Sequence, residues 1–160
     1  MLRQAFGIAA YLASIASVAS TAAWINNWGN AFPALASIFP RSIDGEPAID
    51  LATSGTAAKA FFNVGLMGLL ALQHNIMARQ TTKKAMRKAG VPFPWERSVF
   101  AASASAALGA ILYLWQPMPW TVWQVRPPYD KAVWALSALG ILVFFGSTGA
   151  WDHTELFGLK

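Results

Sequence analysis

The chain has 160 residues, 56% of them hydrophobic and only 12% charged, with 12 Lys and Arg against 7 Asp and Glu and no cysteine. That balance excludes an ordinary water-soluble domain, and the absence of cysteine excludes disulfides and thiolate metal sites. The net charge of +5 does not point to nucleic acid, because the basic residues cluster in one segment between apolar runs instead of interleaving with exposed aromatics.

Taken in order, residues 5–25 are apolar and small, interrupted only by Ser and Thr, and are long enough to cross a bilayer core. Met1-Leu2-Arg3-Gln4 is a weakly basic start, and the apolar stretch after it is long for a cleaved signal peptide, so it reads as a retained span. Small residues recur four apart in it (Ala9, Ala13, Ser17; Ala16, Ser20), a spacing that lets another helix approach closely. Residues 26–57 form a long outer connection with turn chemistry at Asp44-Gly45 and Glu46-Pro47. Within it, Ala34 to Phe39 reads as a short interfacial helix or a re-entrant piece, and Trp24 and Trp28 sit where an aromatic belt belongs.

A second span is expected at about 58–78, a third at about 98–116 and a fourth at about 132–151. The third carries the Ala/Ser/Gly row from Ala101 to Gly109, suited to tight packing. Between spans two and three lies a basic loop, 79–97, with Arg79, Lys83, Lys84, Arg87, Lys88 and Arg97. Between spans three and four, a Trp- and Pro-rich stretch from Gln116 to Asp130 reads as an ordered interfacial loop. The chain is thus expected to be an all-α integral membrane protein, one domain over 1–160, with four transmembrane helices in a bundle. Because Lys and Arg concentrate at the N-terminus, in the 79–97 loop and at Lys160, both termini are expected on the cytoplasmic-type side of a plasma-type or energy-transducing membrane.

That topology runs spans two and four in the same direction, so Gln73-His74-Asn75 and Asp152-His153-Thr154-Glu155 end at similar depth. Polar groups there are costly unless paired or hydrated, which makes them candidates for function. His74 is able to move a proton, orient an anion or ligate haem iron, and a haem held between His74 and His153 is one arrangement the spacing allows. Satisfying interfacial hydrogen bonds is the plainer role for both. Glu96 reads as a first-turn helix acid or as half of an ion pair that locks the basic loop. The basic run reads more readily as a solvated topogenic loop than as a lipid-recognition element. No Gly-rich phosphate loop, nucleophile elbow or carboxylate cluster for a divalent metal is present in the sequence.

Five segments together carry a resemblance: Pro40-Arg41-Ser42-Ile43-Asp44-Gly45; Ala71-Leu72-Gln73-His74-Asn75-Ile76-Met77-Ala78-Arg79; Glu96-Arg97-Ser98; Leu114-Trp115-Gln116-Pro117-Met118-Pro119; and Asp152-His153-Thr154-Glu155-Leu156-Phe157-Gly158-Leu159. They resemble, in order and over nearly the whole chain, the front half of the membrane-bound methanethiol S-methyltransferase family. That family sits within the isoprenylcysteine carboxyl methyltransferase-like proteins. More distantly, the segments resemble the nitric-oxide-reduction-associated and carotene isomerase membrane proteins.

The resemblance implies a thiol-facing role for His74, Arg79, Glu96, Arg97, His153 and Glu155. It implies that S-adenosylmethionine is held by a later half, with an Arg-His-Pro motif and a pair of glutamates, to which no residue of this chain corresponds. In the last segment, Asp152-His153 stands where Asn-His is typical. The expectation is a chain that does not transfer methyl groups on its own. Its first role would be as an accessory subunit of a larger membrane complex, packing its Ala/Gly/Ser faces, Gly109 and Ser105 included, against foreign helices. The alternatives are a fragment or split half of a thiol S-methyltransferase, and a haem protein using His74 and His153.

Overall fold

The computed structural model describes residues 2–51, 54–121 and 124–149. Among these every regular element is helical: α1 (Leu2–Ile25), α2 (Trp28–Ala31), α3 (Thr56–Ala78), α4 (Gln80–Lys88), α5 (Glu96–Leu114) and α6 (Asp130–Gly149), with single 3₁₀ turns at Pro33–Leu35 and Phe93–Trp95. Segments of α1, α3, α5 and α6, 22, 23, 19 and 18 residues long, are apolar enough to cross a membrane. At about 1.5 Å per residue even the shortest covers about 27 Å, close to a hydrocarbon core of about 30 Å. The protein is an integral, multi-pass, all-α membrane protein.

Helix ends follow from local chemistry. Asn27, with φ of 54°, turns the chain out of α1, a left-handed conformation that Asn tolerates better than most residues. Gly29 follows where the chain folds back on itself; a Cβ there would stand 2.2 Å from the Phe39 carbonyl oxygen. Arg79 is extended (ψ 142°), so α3 stops and α4 starts on a new axis. α4 closes in a Schellman motif: Gly90 donates to the Arg87 carbonyl at 3.0 Å and Val91 to the Met86 carbonyl at 2.9 Å, with Gly90 at φ 88°. α5 ends because Gln116 precedes Pro117, which disfavours the helical region for Gln116.

α5 is the centre of the bundle, packing against α1 on one side and α3 on another. Its contact with α1 is made of small side chains. Ala10 and Ala101 are buried, and the Ser14 and Ser105 hydroxyls meet at 3.1 Å, one donating to the other while its partner donates to the carbonyl four residues back in its own helix. Lipid tails are as apolar as these side chains, so close packing and interhelical hydrogen bonds hold such a contact, the latter each contributing about 0.6–2 kcal/mol. The contact corrects one expectation. Ser105 and part of the α1 Ala/Ser row meet within the chain, not against a foreign helix, whereas Gly109 has open space where a Cβ would stand.

At the other end Trp24, Leu66 and Ile111, from α1, α3 and α5, form the apolar core. Trp115 stands edge-on to Trp24 at 5.5 Å. α6 is attached through its first half, where Ser137 donates to Asn26 at 2.6 Å and Trp134 meets Phe32 at 5.8 Å. Its Leu136, Leu139, Leu142 and Val143 are exposed, as lipid-facing residues are. A second correction concerns the basic 79–97 connection: it is not an irregular loop, since half of it is α4. Gln80, Lys83, Lys84, Ala85, Met86, Arg87 and Lys88 are good helix formers, and lack of an apolar stripe does not prevent a short tethered helix.

Candidate functional site

The polar groups divide between the two ends of the bundle. Where α5 ends and α3 begins, Gln116 is completely buried and Asn63 is 3% exposed. Their pairing is reciprocal: the Gln116 backbone N–H donates to Asn63 Oδ1 at 2.9 Å, and Asn63 Nδ2 donates to the Gln116 carbonyl at 2.7 Å. The Gln116 side chain in turn treats the 26–57 connection as a strand. Its Nε2 donates to the Ile49 carbonyl at 2.7 Å and to the Leu114 carbonyl at 2.9 Å, while its Oε1 accepts from the Leu51 N–H at 3.0 Å. Ala48 N–H adds a bond to the Tyr113 carbonyl at 2.9 Å, and the Arg41 guanidinium lies 4.3 Å from the Tyr113 ring centroid. Two segments far apart in sequence, 48–51 and 113–116, are thereby joined, with Arg41 adding its contact on Tyr113. Every polar atom of Asn63 and Gln116 named here has its partner, so this end acts as a clamp.

At the opposite end, α3 presents Gln73, His74 and Met77 to α5. Gln73 Nε2 donates to Ser103 Oγ at 2.8 Å and, more weakly, to the Phe100 carbonyl at 3.4 Å. Ser103 Oγ donates to the Phe100 carbonyl at 2.8 Å and lies 3.0 Å from Met77 Sδ. Gln73 Oε1 is buried without a hydrogen-bond partner among the described residues. His74 stands edge-on to the Phe100 ring at 5.0 Å, is otherwise exposed, and makes no hydrogen bond to a described residue. Packing on one side and open nitrogens on the other suit an imidazole to exchanging a proton or receiving a ligand.

Glu96, at the mouth of α5, is 7% exposed and is held by Arg87 of α4 through Nε to Oε1 and through Nη2 to Oε2 at 3.4 Å. The hydrogen bond to Glu96, and then its charge, holds the Arg87 guanidinium above its ordinary pKa. The guanidinium also lies 4.9 Å from the Phe93 ring centroid. Both roles open to Glu96 are seen: it is an acid in the first turn of α5, and it forms the ion pair that locks the basic segment, with Arg87 as partner. Arg79 is exposed at the α3–α4 corner, and Arg97 is exposed in the first turn of α5. His153 and Glu155 lie outside the described residues, as does the proposed haem pairing with His74.

Two concavities are open. One, of about 420 Å³, runs between α1 and α5 and is lined by Phe6, Ala9, Ala10, Ala13, Ser17, Ala102, Ser105 and Ala106. The other, of about 410 Å³, lies between the start of α3 and Pro117-Met118-Pro119, with Lys59 in its wall. Neither has a carboxylate in its lining. Among the described residues no group of three or more His, Asp or Glu side chains gathers as a metal site. Asn63 and Ser103 escape a reading centred on charged residues, whereas Gln73 falls in the polar stretch that the sequence already marks. The available signal was an amide, Asn63, inside the apolar run from Ala60 to Leu72, a costly place for one without a partner.

Fold and site together define a multi-pass helical membrane protein with a buried polar clamp at one end and a basic, histidine-bearing face at the other. Among curated proteins the chain is homologous to methanethiol S-methyltransferases. It is 36% identical over 124 residues to that of Mycobacterium tuberculosis, covering 77% of this chain and 48% of the relative. It is 33% identical over 156 residues to methanethiol S-methyltransferase 1 of Bradyrhizobium diazoefficiens, covering 96% of this chain and 49% of the relative. A further relative is Nurim of Bos taurus, 32% identical over 108 residues, or 62% of this chain and 40% of that protein. The chain spans about half the length of the curated relatives it matches, which fits its reading as one half of such a protein. No family model matches it, and no solved structure does.

Proposed function

We propose that this chain is the thiol-facing part of a membrane thiol S-methyltransferase whose methyl donor is S-adenosylmethionine. The observation that carries the reading is the 33–36% identity to proteins named methanethiol S-methyltransferase, in one case over 96% of the chain. The accessory-subunit role, which the sequence put first, rested on small-residue faces needing a foreign helix, and the Ser14–Ser105 contact removes part of that need.

In this reading His74, packed on Phe100 and open on its other side, accepts the proton of a thiol and leaves the thiolate nucleophile. Gln73 and Ser103 hold α3 and α5 in register beside it. Arg79 and Arg97 give that end the positive field that favours a thiolate over a thiol. The described residues do not fit S-adenosylmethionine. The α1–α5 groove has no carboxylate for ribose hydroxyls, and the cleft at the start of α3 is lined by the Lys59 ammonium, which would repel a sulfonium. The donor is therefore assigned to residues other than these. Both termini lie on the cytoplasmic-type side in this scheme, with α4.

A chimera tests the reading: residues 1–160 joined to the unmatched part of the M. tuberculosis relative, expressed in membranes, given methanethiol and S-adenosylmethionine, and assayed for dimethyl sulfide. Product formation that falls at least 100-fold in His74→Ala is expected, the usual scale for loss of a general base. An inserted, folded chimera that makes no product while the parent relative does would overturn it.

A further inference from the structure

We infer that α4 is a docking surface for anionic phospholipid headgroups. The first ground is its attachment. Near its start, Thr82 Oγ1 donates to the Ile76 carbonyl, in the last turn of α3, at 2.6 Å. Near its end, Arg87 is bound to Glu96, the first residue of α5. A helix tied at one end to the exit of one span and at the other to the entrance of the next lies across both mouths. It is therefore held at headgroup depth along the membrane surface.

The second ground is charge. Residues 79–97 hold six cations and a single carboxylate, Glu96, so this segment carries the chain's entire net charge of +5 and the remainder is balanced. Arg87 is occupied by Glu96, whereas Arg79, Lys84 and Lys88 are exposed and make no ion pair among the described residues. Phe93 is 66% exposed beside Arg87, an aromatic at the level where acyl chains meet headgroups. A topogenic loop needs only positive charge. A regular helix clamped at both ends with its free cations displayed has the further property of offering a fixed array to phosphates, with each Lys near an anionic surface contributing measurably to binding.

Native mass spectrometry of the full chain in mild detergent tests this, with phosphatidylglycerol and phosphatidylcholine of matched acyl chains titrated in parallel. Phosphatidylglycerol is expected to be retained at concentrations about tenfold lower, less so at high ionic strength. Lys84→Gln with Lys88→Gln is expected to shift its titration on the order of tenfold toward that of phosphatidylcholine. The equal charge change Lys59→Gln with Lys131→Gln, away from α4, is expected to leave the preference intact. Equal retention of both lipids, indifference to the α4 substitutions, or the same loss from the remote pair would each overturn the inference. Displacement of the lipid by excess inorganic phosphate would reassign the site to free phosphate and overturn it too. None of these outcomes depends on methyl transfer.

Discussion

The two ends of the bundle handle polar groups in opposite ways. At the Asn63–Gln116 end these two amides are buried and matched to backbone, tying α3, the end of α5 and residues 49–51 together, although Asn27 Oδ1 near the end of α1 is buried with no partner among the described residues. At the His74–α4 end, an imidazole is left open, a glutamine oxygen is buried without a described partner, and cations are displayed. Saturated polar networks rigidify a fold, and unsaturated ones remain available to a ligand. Loss of stability and loss of function should therefore map to different ends.

The largest stability effect is expected from the clamp. Gln116→Ala removes three side-chain bonds from a fully buried position, and Asn63→Ala strands the Gln116 N–H and carbonyl; each should cost about 2–4 kcal/mol, read as lowered thermal unfolding in detergent. Glu96→Gln should release α4 while leaving the clamp alone, seen as faster tryptic cleavage at Lys83, Lys84 or Lys88 with little change elsewhere. The pair should hold at alkaline pH. Arg87 has its pKa raised in the folded state, so its contribution is complete below the ordinary arginine value and fades only above it, beyond the working range. Ser105→Ala should cost less, about 0.5–1 kcal/mol, since α1 and α5 keep their alanine contacts. Sidedness is a qualitative test, and the cysteine-free chain suits it. Thr81→Cys and Glu46→Cys should label with a membrane-impermeant maleimide from opposite sides, Thr81→Cys from the cytoplasmic one.

The spans were legible because a bilayer demands about 20 apolar residues and little else. The clamp was not. Asn63 and Gln116 stand 53 positions apart, and much of what they bind is backbone, which leaves no side-chain pattern to read. Glu96 announced an ion pair but not its partner. The Schellman reversal at Gly90 brings in Arg87 of α4. The small-residue row from Ala101 to Gly109 was visible as a packing face; which helix it meets depends on α1 folding back beside α5, and that is a property of the assembled bundle.

The most direct test of this division compares His74→Ala with Asn63→Ala in the same chimera, measuring dimethyl sulfide formed per folded molecule alongside thermal unfolding. His74→Ala should keep the parent's stability and lose turnover, and Asn63→Ala should lose stability and keep turnover per folded molecule. A His74→Ala chimera that remains fully active, or an Asn63→Ala chimera that unfolds like the parent yet is inert, would contradict the account.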